Sequence, residues 1–555
     1  MAVQWAAWFG LALVLPELRP WGIVVAIFAG LAVVLWWLLL SRAPWLERVG
    51  ILALIVVAVA ATKRVVHESI AGGGMGMLLY IYAIPILSLA LVTAAAIARR
   101  ASDGRRRATL VAVILFACGL FTLVRTGGVT GEGDSDLHWR WSETPEERLL
   151  RLSTGEPAPV RAAVAVESSA EWSGFRGAQR DGVLRGVRIA TDWVASPPVE
   201  LWRRPIGPGW SSFAVHGDLV YSQEQRGEEE LVSCCRRSTG EPVWLHRDAV
   251  RFWESNAGAG PRATPTLDGN RVFALGATGI VNALDAESGA LLWKRDAAAD
   301  TGTAVPDWGF AGSPLAIDDL VVVATSGRLV AYDAGTGEQR WLGPSGGTSY
   351  SSPHLATIDG VAQILLLAGG GVTGVAPGDG ALLWQHAWQR GASIAQPALT
   401  PDGDVLITAC YEMGGIGVCR LALEHGADSW TVEERWTSRA MKPYFNDFVV
   451  HEDHAFGFDN GILACIDLQD GERAWKDGHY GHGQLLLLSD ADVLLVLSEE
   501  GELVLVAATP AEFHELARFP ALEGKTWNHP VLAGDLLLVR NAEEMAAFRL
   551  ALADG

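Results

Sequence analysis

Apolar positions along this chain follow two different rules. Up to residue 125 they form long unbroken runs. Trp21–Leu40 carries no charge over 20 residues, long enough to cross a bilayer as a helix. Val49–Thr62, Met77–Ala98 and Ala108–Val124 are three further spans, and the second of the four, only 14 residues long, extends through Lys63 by snorkelling. Val3–Leu15 is a candidate fifth helix. The apolar runs continue far past any cleavage site, so they are read as an anchor and not as a signal peptide.

From residue 195 onward, short apolar segments alternate with turn residues, the pattern of antiparallel strands. The segment from Gly312 shows it best. Gly312–Ile317, Leu320–Thr325, Arg328–Tyr332 and Gln339–Leu342 are four strand signals, divided by Asp318-Asp319, Ser326-Gly327 and Thr336-Gly337. The first of these turns recurs at Gly217-Asp218, Asp268-Gly269, Asp359-Gly360, Asp402-Gly403, Glu452-Asp453, Asp490 and Gly534-Asp535, giving eight units in all. Trp244, Trp293, Trp341, Trp384, Trp430 and Trp475 mark the same period, with gaps of 49, 48, 43, 46 and 45 residues. Most follow a Gly turn, as in Ala286-Glu287-Ser288-Gly289-Ala290-Leu291-Leu292-Trp293. A period of this length marks a repeat architecture.

The last unit lacks a fourth strand, while Val199-Glu200-Leu201-Trp202 is a fourth strand without partners ahead of the first unit. A closed ring joins the two and removes exposed sheet edges. The expected fold is therefore an all-β eight-bladed propeller, with seven blades as the alternative if the weak seventh unit is not one. It is preceded by four to five transmembrane helices. The expected domains are an anchor over 1–125, a linker and lead-in segment over 126–194, and the propeller over 195–555. Within the linker, Gly127–Ala170 reads as a solvated tether with a short helix at Pro145–Leu152. The Trp residues are expected to pack between neighbouring blades.

Charge sets the orientation and removes one class of partner. Arg99, Arg100, Arg105, Arg106 and Arg107 lie between the last two spans, and Arg42 and Arg48 fall on the same side. Such loops stay cytoplasmic, so everything after Arg125 is expected outside the cytoplasm, in the periplasm of a Gram-negative bacterium. The net charge of −20, without a basic stripe in the soluble part, argues against a nucleic-acid partner.

The phrase at Ala283–Trp293 and Ala331–Trp341 resembles the pyrroloquinoline quinone (PQQ) repeat. That repeat builds the propellers of quinoprotein dehydrogenases and of the outer-membrane assembly lipoprotein. Trp172-Ser173-Gly174-Phe175-Arg176-Gly177-Ala178-Gln179-Arg180-Asp181-Gly182 resembles the W-x-x-F-R-G-x-x-R-D-G motif of bacterial PQQ-like propeller proteins. An anchor followed by such a propeller is also similar to membrane-bound quinoprotein glucose dehydrogenase, which implies electron delivery to quinone. This chain departs from the dehydrogenases in having compact blades without long insertions.

The connections at one mouth of the expected channel are polar and aromatic. They contain Glu224, Gln225, Arg226, Trp253, Glu254, Arg262, Trp308, Lys442, Tyr444, Asn446, Asp447, His479, Tyr480, His482, Gln484, Lys525, Trp527, Asn528 and His529. PQQ is a flat tricarboxylate, and a site for it needs cations, an aromatic surface and a carboxylate–amide set for Ca²⁺. Glu254, Arg262, Lys442, Tyr444, Asn446, Lys525, Trp527 and His529 are candidate cofactor residues. Glu254, Asn446 and Asp447 are candidate ligands for Ca²⁺, and Asp447 is the candidate base. The first reading is nonetheless a membrane-anchored module that binds an unknown small ligand or an envelope protein at its channel mouth, with a PQQ-dependent alcohol or sugar dehydrogenase passing electrons to membrane quinone as the alternative. His479, His482 and His529 lack the spacing of a compact metal site. Cys410 and Cys419 face each other if their hairpin folds about Gly414-Gly415, and form a disulfide candidate. No hydrolase motif is present.

Overall fold

The computed structural model describes residues 2–10, 19–153, 170–388, 391–411, 414–427 and 429–553. The chain divides into two compact units. One comprises Met1–Ser142 with Glu254–Gly258, the other Glu143–Trp253 with Ala259–Gly555.

The first unit contains helices Arg19–Leu40, Trp45–Thr62, Leu78–Ile97 and Asp103–Leu120. All four are long and apolar enough to cross a membrane. They pack through Trp37, Ile51, Leu87, Leu91, Leu110 and Ile114. The second helix starts at Trp45, earlier than the apolar pattern suggested, because its first turn carries Glu47. That carboxylate is buried yet satisfied, since Arg106 approaches it at 2.8 Å and Arg107 at 3.2 Å. A charge inside a helix pair is tolerated on such terms. Of the Val3–Leu15 run, Ala2–Trp5 is α-helical and Ala6–Gly10 forms a π turn, while residues 11–15 lie outside the described residues.

The stretch read as a tether is not uniform. Val124–Val129 pairs antiparallel with Ser135–Trp139, and this hairpin belongs to the first unit. A short helix follows at Pro145–Ser153. Residues 154–169 of the expected tether lie outside the described residues.

In the second unit the described residues form eight blades. The third blade has strands Leu315–Ile317, Leu320–Thr325, Arg328–Asp333 and Gln339–Leu342, within three residues of the expected bounds. The seventh blade is complete and gains a fifth strand, Val183–Leu184, parallel to Gln484–Leu488. The eighth closes as expected. Val199–Pro205 pairs with Glu544–Arg549, setting Trp202 opposite Ala547.

Four of the repeating Trp residues do more than fill space between blades. The indole N–H donates to a turn carbonyl of the next blade: Trp244 to Ala286 at 2.9 Å, Trp293 to Ala334 at 3.0 Å, Trp341 to Pro377 at 2.9 Å and Trp475 to Thr509 at 2.7 Å, the first three opening Gly turns. The ring-closing Trp202 reaches Arg237 at 2.8 Å. The turn glycines therefore meet two demands. Gly289 and Gly337 have φ of +67° and +73°, and a Cβ on either would strike the preceding blade's indole at 2.5 Å and 2.7 Å.

Two members of the beat depart from this rule. Trp384 donates to Gln363 Oε1 in its own blade. Trp430 does not hold the fifth blade to the sixth; Trp436 does, donating to Leu468 O at 2.8 Å. A bulge between Arg420 and Leu421 sets Trp430 opposite His425 and Trp436 opposite Arg420, so the two indoles face opposite sides of the sheet. Trp430 instead stacks on His425 at 4.7 Å.

The same hairpin corrects the disulfide expectation. Cys419 lies opposite Ile407 and Cys410 opposite Gly415, because Tyr411 pairs with Gly414 and the strands bulge after Ala409. All six cysteines are free and buried.

Candidate functional site

Outside the seventh blade, the residue two places ahead of the inner strand contributes to a polar belt around the channel. Thr264 Oγ1 accepts from Ser212 N–H at 2.9 Å, Ser313 Oγ from Thr264 N–H at 2.9 Å and Ser352 Oγ from Ser313 N–H at 2.9 Å. Asp447 Oδ1 accepts from Gln396 N–H at 2.8 Å, and Ser212 Oγ donates to His529 O at 2.6 Å. A polar residue before proline was the signal that sequence reasoning missed. It stands at Thr264-Pro265, Ser313-Pro314, Ser352-Pro353, Gln396-Pro397 and His529-Pro530. Proline keeps its predecessor extended, which suits the start of an inner strand.

Trp172–Gly182 runs through this belt. Trp172 N–H and O bond Val215 in the first blade, at 3.2 and 2.7 Å, and Ser173 O accepts from Leu267 N–H in the second at 2.7 Å. Arg180 donates to Pro314 O at 2.7 Å and Ser313 O at 3.0 Å in the third, while its own carbonyl accepts from Gln396 Nε2 in the fifth at 2.5 Å. Arg176 donates to Phe448 O in the sixth at 2.6 Å and sits 3.4 Å from Asp447. Both arginines adopt left-handed φ, +60° and +54°, which coils the segment tightly. The segment thus binds six blades, counting Val183–Leu184 on the seventh, and fills the belt with side chains.

Arg176 pairs with Asp447 here, while the buried Arg180 guanidinium is met by the carbonyls of Ser313 and Pro314. Burial alone would raise the Asp447 carboxyl. Arg176, His529 and the Gln396 N–H outweigh it and hold the group below its ordinary value. His529, 3.1 Å from Asp447, is pushed down by burial against the pull of that carboxylate. His354, 2.6 Å from Gln396 Nε2, is lowered to about 3, first by burial and then by Arg180 and Arg176.

Above the belt lies an aromatic–cation group from the first, sixth, seventh and eighth blades. Lys525 Nζ stands 4.3 Å from the Trp527 ring and 5.1 Å from Trp210. Trp527 lies 4.8 Å from both Trp210 and Phe445. Phe445 stacks on His482 at 5.3 Å and abuts Tyr444 at 5.0 Å. Glu499 braces the group from behind, accepting from Trp527 Nε1 at 2.7 Å and His482 N–H at 3.0 Å. Trp210, Phe445, Lys525 and Trp527 are half-buried, whereas Tyr444 and His482 are buried.

The residues expected to form one cofactor site therefore separate. Tyr444, Lys525 and Trp527 come together at the mouth, and Asp447 and His529 come together in the belt. Lys442 pairs instead with Asp459 at 2.8 Å, beside Arg473 and Lys476, each at 2.9 Å. Arg262 donates to Trp308 O at 3.1 Å and lies over Phe252 at 4.7 Å. Glu254 belongs to the first unit, where it accepts from Asn256 N–H at 2.7 Å and Ala257 N–H at 2.5 Å. Asn446 donates its amide to Gly483 O.

These residues do not fit PQQ and Ca²⁺. Two of the intended cations already serve a carboxylate or backbone carbonyls. The intended base is gripped by Arg176, whose charge opposes a cation beside it. Among the described residues no three His, Cys, Asp or Glu side chains are grouped to hold a metal.

A family profile described as the outer membrane protein assembly factor BamB matches residues 245–477. The chain carries a PQQ-like β-propeller. BamB of Yersinia pestis is 24% identical to it over 286 residues, which is 46% of this chain and 70% of that protein. BamB of Shewanella oneidensis is 28% identical over 261 residues, 43% of this chain and 60% of that protein. The quinohemoprotein alcohol dehydrogenase of Comamonas testosteroni has a similar structure, with TM-score 0.50 and 12% identity, over 73% of this chain and 84% of that one. At that identity the likeness of this PQQ-like propeller to a dehydrogenase is one of fold.

Proposed function

We propose that this protein is a membrane-anchored binding module whose PQQ-like propeller takes a protein partner at its channel mouth, on the extracytoplasmic side of a bacterial inner membrane. The observation that carries this reading is the half-buried group of Trp210, Phe445, Lys525 and Trp527. Clustered aromatics with a central cation are typical of interface hot spots. The lead-in segment behind them fills the belt, so a partner meets a closed floor. The similarity to relatives named as outer membrane protein assembly factors favours a protein over a small molecule. The four candidate spans and the arginine-rich loop at 99–107 support the anchor and its orientation.

The test is site-specific photocrosslinking in native membranes, with the probe at Phe445 and a control at Leu291, which is exposed on an outer strand. A discrete adduct is expected at Phe445 and not at Leu291, and W527A is expected to weaken it. Equal labelling at the two positions would overturn the reading. Titration of the purified protein with PQQ and Ca²⁺ is expected to give no bound-cofactor absorbance.

A further inference from the structure

The hairpin after the last long helix has two unlike faces. Along Ser135–Trp139, alternate residues point to opposite sides. Asp136 and His138 share one side and pair at 2.8 Å. Leu137 and Trp139 share the other, 45% and 54% exposed, and Trp141 continues it at 69%. The two indoles stack face to face, 5.3 Å apart with ring planes 7° from parallel. Two stacked, exposed tryptophans on a small hairpin need an apolar surrounding that the described residues do not supply.

The register says where this face lies along the helix. Trp139 sits directly opposite Val124, and Arg140 N–H donates to Leu123 O at 2.8 Å. Leu123 ends the candidate span Asp103–Leu123. The connection between the second and third long helices reaches the same level, since Ser69 Oγ accepts from Thr126 N–H at 3.0 Å. That connection exposes Met75 and Met77, at 49% and 53%. The apolar face is thus continuous with the ends of three spans, at the depth where Trp collects in membrane proteins: apolar ring inward, indole N–H toward water.

We infer that Leu137, Trp139 and Trp141 form a membrane-interface anchor, seated in the headgroup–acyl boundary of the leaflet where the last helix emerges. This rests on the long helices crossing a bilayer. The anchor fixes the depth and tilt of the hairpin at the membrane surface.

The test uses the full chain in nanodiscs of phosphatidylcholine and phosphatidylglycerol, with an NBD fluorophore on Leu137→Cys. Phe116→Cys, exposed within the last span, and Val194→Cys, 97% exposed in the second unit, are the references. Emission at 137 is expected to shift to the blue and to be quenched by lipids with a shallow nitroxide. Position 116 is expected to be quenched by a deep nitroxide and position 194 by neither. W139S/W141S is expected to lose the shift and quenching at 137. Quenching at 116 with none at 137 would overturn the anchor and leave the spans standing. Quenching at neither would overturn both. Full quenching at 137 in W139S/W141S would remove the tryptophans from the role. A probe at 137 that crosslinks to a protein in native membranes, yet stays unquenched in nanodiscs, would replace lipid by a protein partner.

Discussion

Arg176 reaches across the channel to within 3.4 Å of Asp447, joining the lead-in segment to the sixth blade. Both groups are buried, so removing one partner strands the other. R176M is expected to destabilise the propeller by about 3–5 kcal/mol. R176M/D447N, which leaves no uncompensated charge, is expected to recover part of that loss. Guanidinium unfolding of the full chain in detergent, followed by near-UV circular dichroism, measures both. Equal loss in the single and double variants would show that packing, not charge, sets the cost.

His354 makes stability depend on pH in a stated direction. Folding lowers it to about 3, whereas an unfolded histidine titrates near 6.5. Between these values the unfolded chain binds the extra proton, so stability falls as the pH drops, by up to about 1.4 kcal/mol per pH unit. H354Q lacks this term. Relative to wild type it is expected to gain about 2 kcal/mol between pH 7.5 and pH 5.

The turn glycines separate backbone strain from crowding. Gly337 and Gly360 have similar φ, +73° and +77°, but a Cβ at 360 meets nothing within 4 Å. Gly360→Ala is expected to cost about 1–2 kcal/mol for its left-handed backbone. Gly337→Ala is expected to cost about 1–3 kcal/mol more, because it displaces the Trp293 indole. Thermal unfolding of the two variants gives the difference.

Trp436 and Trp430 offer a paired test of which indole joins the blades. W436A removes an indole that bonds the next blade and is expected to cost about 3–5 kcal/mol. W430A, which loses a stack on His425, is expected to cost about 1 kcal/mol. Similar losses would contradict the bulge that turns them apart.

The cysteines give a count. Unfolded without reductant, the protein is expected to show six reactive thiols. Four would restore a disulfide.

The ring and its closure were legible because most blades repeat the same local chemistry: a turn, a Gly with left-handed φ and a Trp. What local chemistry could not show was pairing at a distance. The beat picked out Trp430, but a bulge in its strand turns it to the opposite face from Trp436, which joins the next blade. Cys410 and Cys419 failed for a similar reason, since the pairing of Tyr411 with Gly414 shifts the whole register. At the site, Lys525 and Trp527 were recognisable as mouth residues. Asp447 and His529 were also visible, but not their commitment to Arg176, whose partners lie in distant blades. The motif carrying Arg176 was read for its resemblance, and its Arg residues gave no sign that they were to be buried.

The closing strand Val199–Pro205 leaves the ribosome long before its partner Glu544–Arg549. Until that partner emerges the strand has no edge to pair with. Closure of the ring therefore comes last, because it needs both ends of the propeller sequence. Its C-terminal strand acts as a completion check: a chain truncated before Glu544 keeps most of its blades but presents a raw edge and a solvent-exposed seam, the features by which proteases and chaperones recognise an unfinished protein.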